Sequence, residues 1–210
     1  MSIVRSAATL RNLREQPMWR LLAADRAPVI AALLNNLLLE QDAAIIVENL
    51  ETGLALPDFE GTVCFMRLGH AVGELAQVPW LGPDHLDAGT LPGTLPRLLY
   101  WGDLDTHGFA ILARARGIFS RLQSVLMDET TFLQGRTLWV TESTPHRSKE
   151  LRHRTLAESE LYVALRENRW GKNIRLEQER LPWPKCLQTL EEAMTTNCSE
   201  DRRKSGGTAQ

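Results

Sequence analysis

Two aspartates one residue apart, Asp103 and Asp105, stand in the run RLLYWGDLDTHGFAIL at residues 97–112. Side chains alternate along an extended chain, so the two carboxylates face the same way while Leu104 turns to the other side. Neighbouring carboxylates repel unless positive charge lies between them: either one pKa rises or a cation relieves the pair. Their hard oxygens suit Mg²⁺, which takes one or two carboxylates and keeps several waters. The same residues also fit a plainer use, Asp105 as a helix N-cap and Asp103 as a solvated turn residue. Spacing alone does not separate the two readings; a third acid would. Glu48, closing the apolar stretch at residues 43–48, is that candidate. His107 could protonate a leaving oxygen or orient a phosphate, or simply make a polar contact in a first helical turn. Glu51 could back up Glu48 or be a solvated turn residue. Glu177 and Glu179, in RLEQER, could join the site or pair on the surface with Arg175 and Arg180.

These residues need elements to position them. Near-continuous apolar runs predict strands buried on both faces at 43–48, 62–66 and 97–102, and a fourth strand at 137–141. Helical patterns fall at 28–40, from Gly69 to Gln77, at about 107–123, at 155–170, and in a last short helix to about 194. A glycine- and proline-rich loop spans 82–96, and no internal repeat is evident. Strands alternating with helices mean βαβ units, hence an α/β fold: a mainly parallel sheet of about four strands flanked by helices. If the first and third strands are neighbours, Glu48, Asp103 and Asp105 converge at the carboxyl edge, where ligands bind in open α/β sheets. The expected organisation is an N-terminal helical segment at 1–42, a catalytic domain at 43–195 and a disordered tail at 196–210.

Composition narrows the function class. The chain has 210 residues, 43% hydrophobic and 24% charged, with net charge −2. There is no global basic field, so any nucleic-acid contact must be local. The best local patch is HRSKELRHR at 146–154, where Arg147, Lys149, Arg152 and Arg154 could touch backbone phosphates without reading sequence, or form a solvated loop. Cys64, Cys186 and Cys198 lack metal-ligand spacing and read as reduced thiols of a cytoplasmic protein. No signal-peptide pattern follows Arg5, Arg11 and Arg14, and no apolar run approaches the ~20 residues of a membrane span.

Glutamate after a first strand and Asp-x-Asp after a third resemble the Toprim domain of topoisomerases, primases and several nucleases. A longer set of segments, IIVENLETGLALP, VPWL, YWGDLDTHGFAIL, SVLMDETTF and RLEQERLPW, resembles the nuclease subunit of the Wadjet anti-plasmid defence system, called JetD or MksG, itself similar to the topoisomerase VI A subunit. The resemblance spans roughly residues 40–190 and rests most on YWGDLDTHG. It implies a metal-dependent DNA endonuclease: Glu48, Asp103 and Asp105 binding Mg²⁺ (or Mn²⁺), with His107 beside them as a catalytic candidate. The implied partners are DNA and the SMC-type motor complex of the same system, with no membrane; a homodimer is compatible. The family's subunit is expected to be longer, with a winged-helix-like module, so this chain reads as the catalytic half. Tyr100 and Tyr162 fall in core positions, which favours hydrolysis by activated water over a covalent tyrosine. Two alternatives stand beside this reading. One is an inert or partner-dependent module that binds DNA or a complex. The other is a haloacid-dehalogenase-type phosphatase, disfavoured because His107 stands where that family places Thr or Val.

Overall fold

In the computed structural model, the described residues are the backbone of 18–22 and residues 42–87 and 95–195. The expected helix at 28–40, most of the expected N-terminal segment at 1–42 and the C-terminal tail lie outside them.

Five strands make one all-parallel sheet: β1 (Met18–Leu22), β2 (Ala43–Val47), β3 (Thr62–Met66), β4 (Arg97–Trp101) and β5 (Gln123–Ser124), in the order β1-β3-β2-β4-β5. Every residue of β2 and β3 is buried, which is why these strands read as unbroken apolar runs. β1 was not anticipated. The pairing on which the site depends is β2 against β4, with Val47 opposite Trp101. The expectation of a parallel α/β fold with its first and third predicted strands adjacent is borne out.

Helices α1 (Leu50–Ala55), α2 (Thr106–Arg116), α3 (Glu129–Gln134), α4 (Leu156–Arg166) and α5 (Trp183–Thr195) follow, and 3-10 turns include Gly69–Gln77. Asn49, Asp105, Asp128 and Thr155 cap α1 to α4, each accepting a backbone N–H with its side chain. Such caps contribute about 1 kcal/mol each. Tyr100 and Tyr162 are both fully buried, as their positions suggested.

Two expectations are corrected. The helix expected over 107–123 stops at Arg116, because Gly117 caps it and the Arg116 Nε turns back to the Leu122 carbonyl at 2.9 Å. The chain then re-enters the sheet as β5. The strand expected at 137–141 is mostly absent. Residues Arg136–Leu138 form a 3-10 turn, and Trp139 stacks on Phe132 at 4.6 Å, its Nε1 donating to the Phe132 carbonyl. Only β6 (Val140–Thr141) remains extended, and it pairs antiparallel with β7 (Ile174–Arg175) in a separate two-stranded ribbon. An indole that can bury its ring against another aromatic and satisfy its N–H there outweighs the β-propensity of the segment.

Candidate functional site

The β2–β4 pairing carries one step past the strands: the Glu48 N–H donates to the Trp101 carbonyl at 3.2 Å. The Glu48 Oε2 then accepts from the Asp103 N–H at 3.2 Å and lies 3.3 Å from the Tyr100 hydroxyl. Two glycines make room for this. A Cβ on Gly102 would stand 2.6 Å from the Glu48 Oε2 and 2.7 Å from the Tyr100 hydroxyl. A Cβ on Gly108 would collide with the Asp103 carbonyl oxygen. The glycines of YWGDLDTHG are therefore required by close approach around the acids.

Leu104 is buried and bridges to Leu176, so Asp103 and Asp105 share the other side, as alternation required. Of the two uses considered for Asp105, the cap is present, and its other oxygen faces a guanidinium. Its Oδ1 caps α2 through the Gly108 N–H at 2.7 Å, and its Oδ2 lies 3.4 Å from the Arg175 Nε. Asp103 is not a solvated turn residue. Its Oδ2 accepts from the Arg175 Nη2 at 2.8 Å and its Oδ1 from the Gln178 N–H at 2.9 Å. Arg175 also pairs with Glu177 at 3.0 Å, and Glu177 with Arg180 at 2.6 Å. The salt bridges considered for RLEQER are present on Glu177, while the segment reaches the aspartates through Arg175 and Gln178 rather than through Glu177 or the exposed Glu179. Glu51 is exposed and contributes only its N–H to the Asn49 cap.

Burial, then the charges of Asp103 and Asp105, push Glu48 up to about 8. Burial also pushes Asp103 up to about 7, against the lowering pull of the Gln178 N–H, with Asp105 raising it further and Arg175 lowering it. The acids repel one another and one guanidinium does not fully compensate them. In chemistry this donor set fits a hard divalent cation. In placement Arg175 holds the position between the aspartates. Among the described residues, no three His, Cys, Asp or Glu side chains surround a common metal position.

His107 lies beside the acids in sequence, yet its Nε2 is 2.6 Å from the Thr144 carbonyl and 4.0 Å from the Glu142 carboxylate. Its ring faces His146 and His70, at centroid distances of 5.7 and 6.5 Å. Glu142 is buried, and both its oxygens accept from the Thr106 hydroxyl region, at 2.7 and 2.9 Å. Burial raises its pKa first, with Asp105 adding to the rise. Sequence reasoning did not single out Glu142, Gln178, His70 or the bridging role of Arg175. Glu142, Arg175 and Gln178 are placed by the pairing of β6 with β7, which no local pattern announced, and His70 lies in the Gly69–Gln77 turn.

Of the four basic residues singled out, Arg147 and Lys149 line a common cavity. Arg152 is exposed. Arg154 is turned inward: its guanidinium lies 4.3 Å over the Tyr162 ring and donates from Nε and Nη2 to the Leu151 carbonyl. No helix among the described residues is long and apolar enough to cross a membrane.

A family model described as Wadjet protein JetD, C-terminal, matches residues 4–190. No curated protein matches the chain.

Proposed function

Because the chain belongs to the family of the Wadjet protein JetD C-terminal domain, we propose that it is a metal-dependent DNA endonuclease of a plasmid-defence system. The observation that carries this reading is the convergence of Glu48 with Asp103 from separate strands, both held well above ordinary carboxylate values, with Asp105 beside them. Such a cluster attracts a cation. Glu48, Asp103 and Asp105 would hold Mg²⁺ or Mn²⁺, which when bound offsets phosphate charge and acidifies a water. The fold relation to Toprim domains, the DNA substrate and a complex with the SMC-type motor of the same system belong to this proposal.

The chain's own residues have definable tasks. Tyr100 and the Asp103 N–H orient Glu48, and the Gln178 N–H orients Asp103. Arg175 balances the aspartates and stands where it can meet a phosphate oxygen. His107 spends its Nε2 on the Thr144 carbonyl, which fits a positioning task better than proton donation from that nitrogen.

One observation favours a second reading. Arg175 already occupies the position between Asp103 and Asp105, as it would in an inert, partner-binding module. Plasmid nicking with Mg²⁺ or Mn²⁺ decides between them, with Asp105→Asn as control, since asparagine keeps a cap but removes the charge. Nicking by the native chain that falls at least ~100-fold in the variant, the scale of a lost charge-stabilising group, supports the nuclease. Absence of nicking in both supports the inert module.

A further inference from the structure

A cavity of about 450 Å³ opens beside the ribbon, lined by His146, Arg147, Lys149, Arg166, Lys172 and Asn173, among others. Its lining holds four cationic side chains and no acid. Among the described residues only one of the four has an ion-pair partner: Arg166 lies 3.2 Å from the exposed Glu167 and is held in place by the Lys149 carbonyl at 3.0 Å. Arg147, Lys149 and Lys172 are exposed. Like charges brought around one concavity in a chain of net charge −2 are not explained by packing, and their repulsion is relieved by a bound anion.

The cavity is tied to the acidic site at two points. His146 lines it, and the same ring makes an edge contact with His107, two residues beyond Asp105. Asn173 lines it too, and its carbonyl accepts the Glu142 N–H. Asn173 precedes Arg175 by two residues, about 7 Å along an extended chain, and Arg175 is the side chain on the aspartates. The ribbon therefore joins the basic cavity to the side chain that holds Asp103 and Asp105.

We infer that this cavity seats a backbone phosphate of the nucleic-acid strand, flanking the phosphate presented to Glu48, Asp103 and Asp105. The inference rests on the nuclease reading for its substrate, but not on hydrolysis. Arg166 and Lys172 enter the binding surface although they lie outside the basic run at 146–154, and Arg154 leaves it. Such a seat fixes strand position without reading bases.

The test is fluorescence anisotropy of the whole chain with a labelled DNA duplex in EDTA, over a salt series. Lys149→Glu and Lys172→Glu are compared with the native protein and with Glu129→Gln, an exposed position on α3 away from both sites. Both lysines are exposed, and thermal melts check that each variant folds. Each charge reversal is expected to lower affinity about equally for two unrelated sequences. The slope of log K against log salt should shrink by about 1 per lost cation. Glu129→Gln should keep the native slope. Unchanged slopes in both lysine variants, or no DNA binding by the native chain, overturn the seat. Reduced slopes in a chain that never nicks plasmid leave the seat standing and remove the nuclease. Nicking with unchanged slopes does the reverse.

Discussion

Arg175 sets the balance of the site at the level of single side chains. It spans Asp103, Asp105 and Glu177 with one guanidinium, so replacing it leaves two nearly buried aspartates facing each other. Arg175→Gln should destabilise the metal-free protein by about 1.5–3 kcal/mol, the range for a hydrogen bond to a charged group. Mg²⁺ should then raise the melting temperature of the variant more than that of the native chain, because a cation takes over the lost neutralisation. Equal Mg²⁺ responses would show that guanidinium and metal do not share this position. Calorimetry with and without Mg²⁺ makes the comparison.

Among elements, α2 and α4 are joined by a buried pair. Both guanidinium arms of Arg116 meet the Glu158 carboxylate, Nη2 to Oε1 at 2.8 Å, and Ser124 of β5 donates to the same carboxylate at 2.6 Å. Glu158 also completes the capping box with Thr155. Glu158→Ala removes one partner of a buried pair together with a cap contact, and should cost about 3–5 kcal/mol in urea unfolding. A loss below 1 kcal/mol would mean that the pair is solvated in solution. Neither partner stood out in the sequence, because a pair 42 residues apart has no periodicity to reveal it. The three main strands did stand out, since burial on both faces writes an unbroken apolar run. The aspartate pair stood out because alternation is a local rule. Trp139 misled for the opposite reason: a β-former lost its place in the sheet to Phe132, a partner visible only in three dimensions.

For the whole molecule, the raised acids give stability a sign. Glu48 and Asp103 move up from 4.5 and 3.8 to about 8 and about 7, so above the ordinary values the unfolded chain holds fewer protons than the folded one. Stability from these groups is therefore full at low pH and falls as pH rises from about 5 to about 8. Glu158 runs the other way. Although burial raises it, the Arg116 and Ser124 bonds win and hold it low, so its contribution disappears as pH drops through its folded value. In EDTA the melting temperature should decline across pH 6 to 8, by about 2–4 °C for each kcal/mol lost in a domain of this size. Glu48→Gln should flatten that decline. A rising profile over the same window would overturn this account of the acids.

The hold that Arg175 and Gln178 have on Asp103 reaches across 72 and 75 positions of the chain. On a ribosome adding about 5–20 residues per second, the aspartates emerge roughly 4–15 seconds before their clasp does. During translation the carboxylates are born without their final arrangement, and the completed cluster marks a polypeptide already synthesised through that late segment.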